Sequence, residues 1–473
     1  MFRRHWSGLP VDPVFPADLS ELGYFINEYD EIRSLEDSDY YFKYFLTKNE
    51  RYNDRRRFAF DEAISKIVHS RLDAEALTPL RLPLGTQPTD RHVPIRISHD
   101  LPKHSRVVLI IGEDAQQFGV LAHRVLGGKG GVTKGSVLNL VQGLKKQPSS
   151  AADPTPPGII IANPGELWWW PEGKRGLTAV HRHDIPMASA VHYGRAHDQT
   201  KNGVPKNLNV GQHIKCVFEE VVDKLVSKDA KLDVIAVGNS AEEVERFLND
   251  DEVWAKFGGR MGALVVLGGF YHSDEFKCEG FKQFMEKRAR AYTIHHTPLD
   301  NAVAGSMGNP AAVGFTSFGC PTYSAGEAGI VEMLLIETHD SVLNWLKTVA
   351  LEGGEYQNED IQIFGDHDET APEEMLSAWA ENGIGKQDSE EFEAEVESDK
   401  ADDEGTPTKE ATVGNESSPD FPLVNKLLLE QQSKKQDTMP RQEQDTVAAA
   451  EKDDEESVVL KVKNMKVTVE DEE

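Results

Sequence analysis

The chain has 473 residues, with 80 acidic against 51 basic side chains and a formal net charge of −29. From Leu351 onward 36 acidic residues face 11 basic ones, a net of −25, which leaves the first 350 residues nearly neutral at −4. Such a balance excludes a broadly basic nucleic-acid-binding surface, and the longest apolar runs, such as "ALVVLGGF", fall far short of a membrane span.

In chain order, an N-terminal arm over 1–19 comes first, and its start "MFRRHWSGLPVDP" has no apolar signal core. "LGYFINEYDEIRSL" and "YYFKYFL" read as aromatic-rich strand or loop pieces over a core edge. Residues 53–74 put Phe58, Ala63, Ile64, Ile67, Val68 and Leu72 on one helical face. That helix also carries the only dense basic run, Arg55-Arg56-Arg57, too little for direct RNA binding.

Apolar strand runs follow at 106–112, 158–164, 232–238 and 262–269, with a fifth at 290–296. Continuous apolar strands alternating with helices predict an α/β fold over 20–350, a mostly parallel sheet covered on both faces. Its crevice lies at the carboxyl ends of those strands. A closing helix is predicted at 341–350. The remainder, 351–473, has too little apolar content to offset chain entropy and reads as a disordered acidic tail. Within it, the alternating run 458–469 has the pattern of a strand that adds to a partner's sheet edge, and "LVNKLLLEQQ" that of a short docking helix.

The stretch Gly238-Asn239-Ser240-Ala241-Glu242 joins a strand to a helix, as the serine-hydrolase elbow G-x-S-x-G does, but with glutamate in place of the last glycine. Ser240 is the candidate nucleophile, with Asp300 (or Asp274) and His339 as partners in the chain order Ser, Asp, His. Gly112 and Ala241 are the candidate oxyanion donors. A carboxylate about 5 Å from an oxyanion opposes it by roughly 3 kcal/mol at an effective dielectric near 20. Glu242, with Glu113 and Asp114 in the facing loop, therefore favours a relic over a working triad.

Other motifs carry less. "LGGKGGVTKGS" at 126–136 lacks the strand before it and the order Gly-Lys-Ser/Thr of a phosphate-binding loop, and reads as a flexible crossover. The histidines His181, His183, His192, His197, His295 and His296 match no metal-ligand spacing and read as polar loops, so neither a metal nor a cofactor is called for. Trp168, Trp169 and Trp170 either form a pocket or partner surface or are buried under the crossover. Cys216, Cys278 and Cys320 are too widely spaced for a disulfide framework or a zinc site, which with the N-terminal start predicts an intracellular, reducing compartment.

The ordered blocks "GYFIN", "VVLIIG", "IIIANP", "VIAVGNSA" and "CPTYSAG", with a histidine before the closing helix, resemble the Arb-two domain family, that of Argonaute-binding protein two, over roughly 20–350. The resemblance implies an α/β-hydrolase-like fold in proteins of RNA silencing and heterochromatin, in the nucleus and/or cytoplasm. It also implies Argonaute-complex or chromatin proteins as partners, and related domains appended to class II histone deacetylases. Family members often have an H-S-x-G-G elbow, from which this chain departs at the residues that carry the chemistry. Three readings result: a non-catalytic interaction module in silencing, a serine hydrolase using Ser240, and histone capture by the acidic tail through long-range attraction.

Overall fold

The computed structural model describes residues 8–192, 195–312 and 314–361. The expected arm over 1–19 is described from residue 8, while nearly all of the expected tail, with its strand-like and helical runs, lies outside the described residues.

Two short strands, β1 (Tyr24–Ile26) and β2 (Ile32–Ser34), pair as a hairpin. The predicted helix forms as α1 (Glu50–Ala74), started by Asn49, whose side chain accepts from the Tyr52 backbone N–H. Five of its six predicted apolar positions are buried, and Ile67 is half-buried at the edge of the face. The basic run is spent internally. Arg55 donates to the Pro13 carbonyl and Arg56 to the Lys43 carbonyl and the Tyr24 hydroxyl, and Arg57 pairs with Asp61.

The main sheet has nine strands. They are β3 (Leu77–Leu82), β4 (Val93–Ser98), β5 (Arg106–Ile111), β6 (Gly158–Ile161), β9 (Lys231–Val237), β10 (Met261–Leu267), β11 (Ala289–Thr293), β12 (Ala302–Ala304) and β13 (Thr322–Ser324). Strands β7 (Trp168–Trp170) and β8 (Arg175–Leu177) form a separate hairpin. Across the sheet the order is β3-β4-β6-β5-β9-β10-β11-β13-β12. From β6 to β13 neighbours run parallel, while β4 is antiparallel to both of its neighbours and β12 to β13. A parallel sheet of this order, covered by helices, with one antiparallel strand second from its edge, is α/β-hydrolase-like. The five predicted strands all form, and β5, β6 and β10 are buried along their whole length. Strands β3 and β4, at one end of the sheet, went unread because their polar-interrupted sequences, LTPLRL and VPIRIS, have no continuous apolar run.

Helix α2 (Leu138–Leu144), α1 and the closing helix α6 (His339–Glu352) cover one face. The helix begun by α3 (Val210–Cys216), with α4 (Asn239–Leu248) and α5 (Glu279–Arg288), covers the other. Packing continues past 350: Trp345 Nε1 donates to the Tyr356 hydroxyl at 2.5 Å, and the Asn358 backbone N–H donates to the Lys287 carbonyl at 2.8 Å. At the amino ends of β5 and β9, Arg106 and Asp233 form a fully buried ion pair at 2.6 Å, and Arg106 also donates to the Leu346 carbonyl of α6.

The glycine-rich run expected as a flexible crossover is instead packed. The Thr133 N–H donates to Asp30 at 2.7 Å and the Gly130 N–H to Glu31 at 3.2 Å. A β-carbon on Gly131 would collide with the Asp30 carbonyl. The backbone donors that a phosphate would need are thus spent on two carboxylates of the β1–β2 hairpin.

Candidate functional site

Strand β5 leads toward β6 on one side, and β9 begins the sequence of strands on the other, so the loops after β5 and β9 meet at the switch point of the sheet. There β9 ends at Val237, and Gly238 turns the chain into α4 with φ +60° and ψ −133°. Only glycine takes this conformation at little cost. A nucleophile elbow holds its nucleophile in such a strained strand-to-helix turn, with small residues two before and two after. By backbone conformation the apex is therefore Gly238, and the small flanking residues are Ala236 and Ser240. The motif read from the sequence was displaced by two residues, because the strand ends before Gly238 rather than running through it.

Ser240 is accordingly not placed as a nucleophile. It lies in the first turn of α4, fully buried, and its Oγ has no hydrogen-bond partner. Ala241 fails as an oxyanion donor, since its N–H is spent on the Gly238 carbonyl at 3.0 Å. Gly112 remains open, with nothing within 4 Å of where a β-carbon would stand.

Two side chains approach the apex. A β-carbon on Gly238 would lie 3.3 Å from both Glu113 Cγ and Val331 Cγ1. Gln116 Nε2 ties these two segments, donating to Glu332 at 2.7 Å and to Glu113 at 3.3 Å, and Arg124 pairs with Glu332 from outside at 3.1 Å. Burial pushes the Glu113 carboxyl up, and the nearby Asp114 and Glu332 push the same way. Asp114 accepts from Asn239 Nδ2 at 2.8 Å. Glu242 faces elsewhere than expected, accepting the Phe270 backbone N–H at 2.9 Å. Of the acids expected to oppose an oxyanion, Glu113 is the one against the apex. Further along α4, Glu245 is fully buried with neither carboxylate oxygen bonded, and burial raises its carboxyl well above the usual range.

The remaining triad candidates do not assemble. Asp300 accepts from Ser341 Oγ at 2.5 Å and from the Tyr292 hydroxyl at 3.3 Å, which ties the loop after β11 to the start of α6. His339 is the first residue of α6; its Nδ1 contacts Asp340 at 3.0 Å and its buried Nε2 has no partner. Asp274 is solvent-exposed, beside His272. Among the described residues, no hydrogen bond joins Ser240, Asp300 and His339.

Trp168 and Trp169 are interior rather than a partner surface. Trp168 and Trp169 are 6% and 3% exposed and Trp170 is half-buried. Trp168 packs with Phe58, Leu177 and Ile185, and Trp169 with Val93 and Val204. Beside them the sequence missed a buried polar relay. His181 Nε2 meets Asp61 at 3.1 Å, and its Nδ1 meets Thr178 Oγ1 at 3.0 Å, while Arg57 binds both Asp61 oxygens. His181 is thus no solvated loop residue. The available signal was Asp61, an acid on the apolar face of α1. Arg57, His123 and His181 hold its carboxyl far below the usual range against the opposing effect of burial, while burial pushes His123 down to about 4. Among the described residues no group of three or more His, Cys, Asp or Glu side chains is placed to hold a metal ion. No described helix is long and apolar enough to cross a membrane.

Comparison with known proteins adds a family. The family model described as the Arb2 domain matches residues 15–299. No curated protein matches the chain. Among solved structures the chain is similar to an arylesterase, at 13% identity and a TM-score of 0.22, over 46% of this chain and 53% of that one. The chain thus spans about half the length of that enzyme. It is the strand order and elbow geometry, not this likeness, that establish the fold.

Proposed function

The chain belongs to the Arb2 domain family, and from that premise we propose that it is a non-catalytic α/β-hydrolase-like interaction module acting in Argonaute-linked gene silencing and heterochromatin regulation. The observation that carries the non-catalytic part is the apex of the elbow. Acyl transfer needs a nucleophile there and a base within hydrogen-bond reach of it. This chain has Gly238 at the apex and a Val331 methyl group against it. The silencing role rests on family membership, with Argonaute-complex or chromatin proteins as partners and the nucleus and/or cytoplasm as the place. The internal use of Arg55, Arg56 and Arg57 favours protein partners over direct nucleic-acid contact.

The alternative of a serine hydrolase using Ser240 has a buried, unpaired hydroxyl against it. A second reading, histone capture by the acidic tail, is favoured by the net charge of −25 from Leu351 onward. One experiment separates the three: fluorophosphonate labelling of the full chain, paired with binding measurements against a purified Argonaute complex and against histones. The proposal expects no labelling and saturable Argonaute-complex binding. Stoichiometric labelling lost in Ser240→Ala supports the hydrolase, and binding to histones alone supports the tail.

A further inference from the structure

A groove of about 690 Å³ lies between β11, β13 and α6, lined also by Tyr356, Gln357 and Glu359. It lies apart from the elbow apex and does not depend on how the elbow is read. Its size falls within the range of roughly 300–1,000 Å³ typical of ligand pockets.

We propose that this groove is the docking site for a positively charged peptide segment, one that presents lysine or arginine side chains to its acidic walls. Asp300, Asp340, Glu352 and Glu359 line it against a single cation, Arg290. Arg290 does not cancel them through an ion pair. Its guanidinium lies over the Tyr323 ring at 4.2 Å and near the Trp345 ring at 5.2 Å, and no ion pair among the described residues engages Arg290, Glu352 or Glu359. The groove therefore keeps a net negative wall that a cationic ligand complements.

Its aromatic floor is fixed before any ligand arrives. Trp345 donates to the Tyr356 hydroxyl at 2.5 Å, and that hydroxyl donates to Asn358 Oδ1 at 2.9 Å. Asp300 is held by Ser341 and Tyr292. A wall set in place in advance loses little side-chain entropy on binding. A metal ion fits poorly, since among the described residues no three acids converge. The amides of Asn344 and Gln357 in the lining match peptide backbone groups, which a polyamine lacks.

The test titrates a short fluorescent peptide alternating lysine with glycine against the full chain and against the full chain carrying Glu352→Lys and Glu359→Lys. Both exchanges fall on exposed positions, and near-UV circular dichroism checks that the Trp345 environment survives. Because the acidic residues from 362 onward are common to both proteins, any difference reports the groove. The expected result is a loss of affinity of about tenfold or more at physiological salt, with a photo-crosslinking version of the peptide mapping to 341–359. The single exchange Glu359→Lys should give an intermediate loss. Unchanged affinity in the double variant overturns the proposal and assigns peptide capture to other acidic residues. Spermine competing as strongly as the peptide overturns the peptide assignment in favour of a polyamine site.

Discussion

Val331 stands over Gly238, with its Cγ1 3.3 Å from where a β-carbon on that glycine would lie. On the non-catalytic reading proposed above, no nucleophile stands at this apex. A side chain placed at the apex would meet a methyl group on one side and the Glu113 stem on the other. The turn itself survives because Gly238 tolerates φ +60° and because the small residues Ala236 and Ser240 still flank it.

The first prediction follows from that contact. Gly238→Ser should fail to create a fluorophosphonate-reactive site and should destabilise the domain by about 1–3 kcal/mol through backbone strain. Ser240→Ala should change stability by about 1 kcal/mol or less, since the hydroxyl it removes makes no hydrogen bond. Thermal unfolding and probe labelling of the two variants are the measurements. Labelling of Gly238→Ser would show that Val331 and Glu113 do not close the site.

The elbow also shows how far the sequence reached. The order of the central strands β5, β6, β9, β10 and β11 was legible because buried parallel strands leave continuous apolar runs such as RVVLII and MGALVVL. The location of the turn was legible for the same reason. Its apex was not, since a two-residue displacement depends on where β9 stops, and both Gly238 and Ser240 are small enough to flank an elbow. The burial of Trp168 was a choice between two readings that only the β7–β8 hairpin decides. Asp30 and Glu31 capping the glycine-rich run lie about a hundred residues from it in sequence, beyond any local pattern.

The Arg106–Asp233 pair gives the second prediction. Both side chains are almost completely buried, and Arg106 also binds the Leu346 and Pro148 carbonyls. Arg106→Met leaves the Asp233 carboxylate buried without its cation and should cost about 3–5 kcal/mol. The double variant Arg106→Met with Asp233→Leu should recover much of that loss, because it removes both charges. Chemical denaturation of the single and double variants decides the matter; equal losses would mean that the carbonyl contacts, not the ion pair, carry the effect.

A third prediction concerns pH. Burial pushes the Asp184 carboxyl up from 3.8 to about 7, against the opposing pull of His181 and Arg51. A raised folded-state value means that the unfolded chain releases this proton first. The stability tied to the protonated form is fully present below about 3.8 and is lost progressively as pH rises through about 7. Asp184→Asn removes this dependence, so the melting temperature of the variant relative to the native chain should rise between pH 4 and pH 7 and level off above. The total is at most about 4 kcal/mol, at roughly 1.4 kcal/mol per unit. A difference that does not vary over this interval would show that Asp184 ionises normally in the fold.

The last prediction separates recognition from steering. If partner contacts belong to the α/β domain and the acidic residues beyond it act at range, deleting 362–473 should slow association and flatten its salt dependence while leaving dissociation nearly unchanged. Range gives the reason: exposed charges act over about 8 Å at physiological salt and are screened beyond it, whereas docked side chains act only on contact. Dissociation should respond instead to exchanges on the domain surface. Trp168→Ala is not one of these. Its side chain packs on Phe58 and Ile185 inside the fold, so the exchange should cost about 3–5 kcal/mol of stability and no specific affinity. The measurement is binding kinetics of the full and truncated chains against an Argonaute complex, and separately against histones, at two salt concentrations. Truncation that abolishes histone binding, with no Argonaute-complex binding by either chain, would move the function from the domain to the acidic residues that follow it.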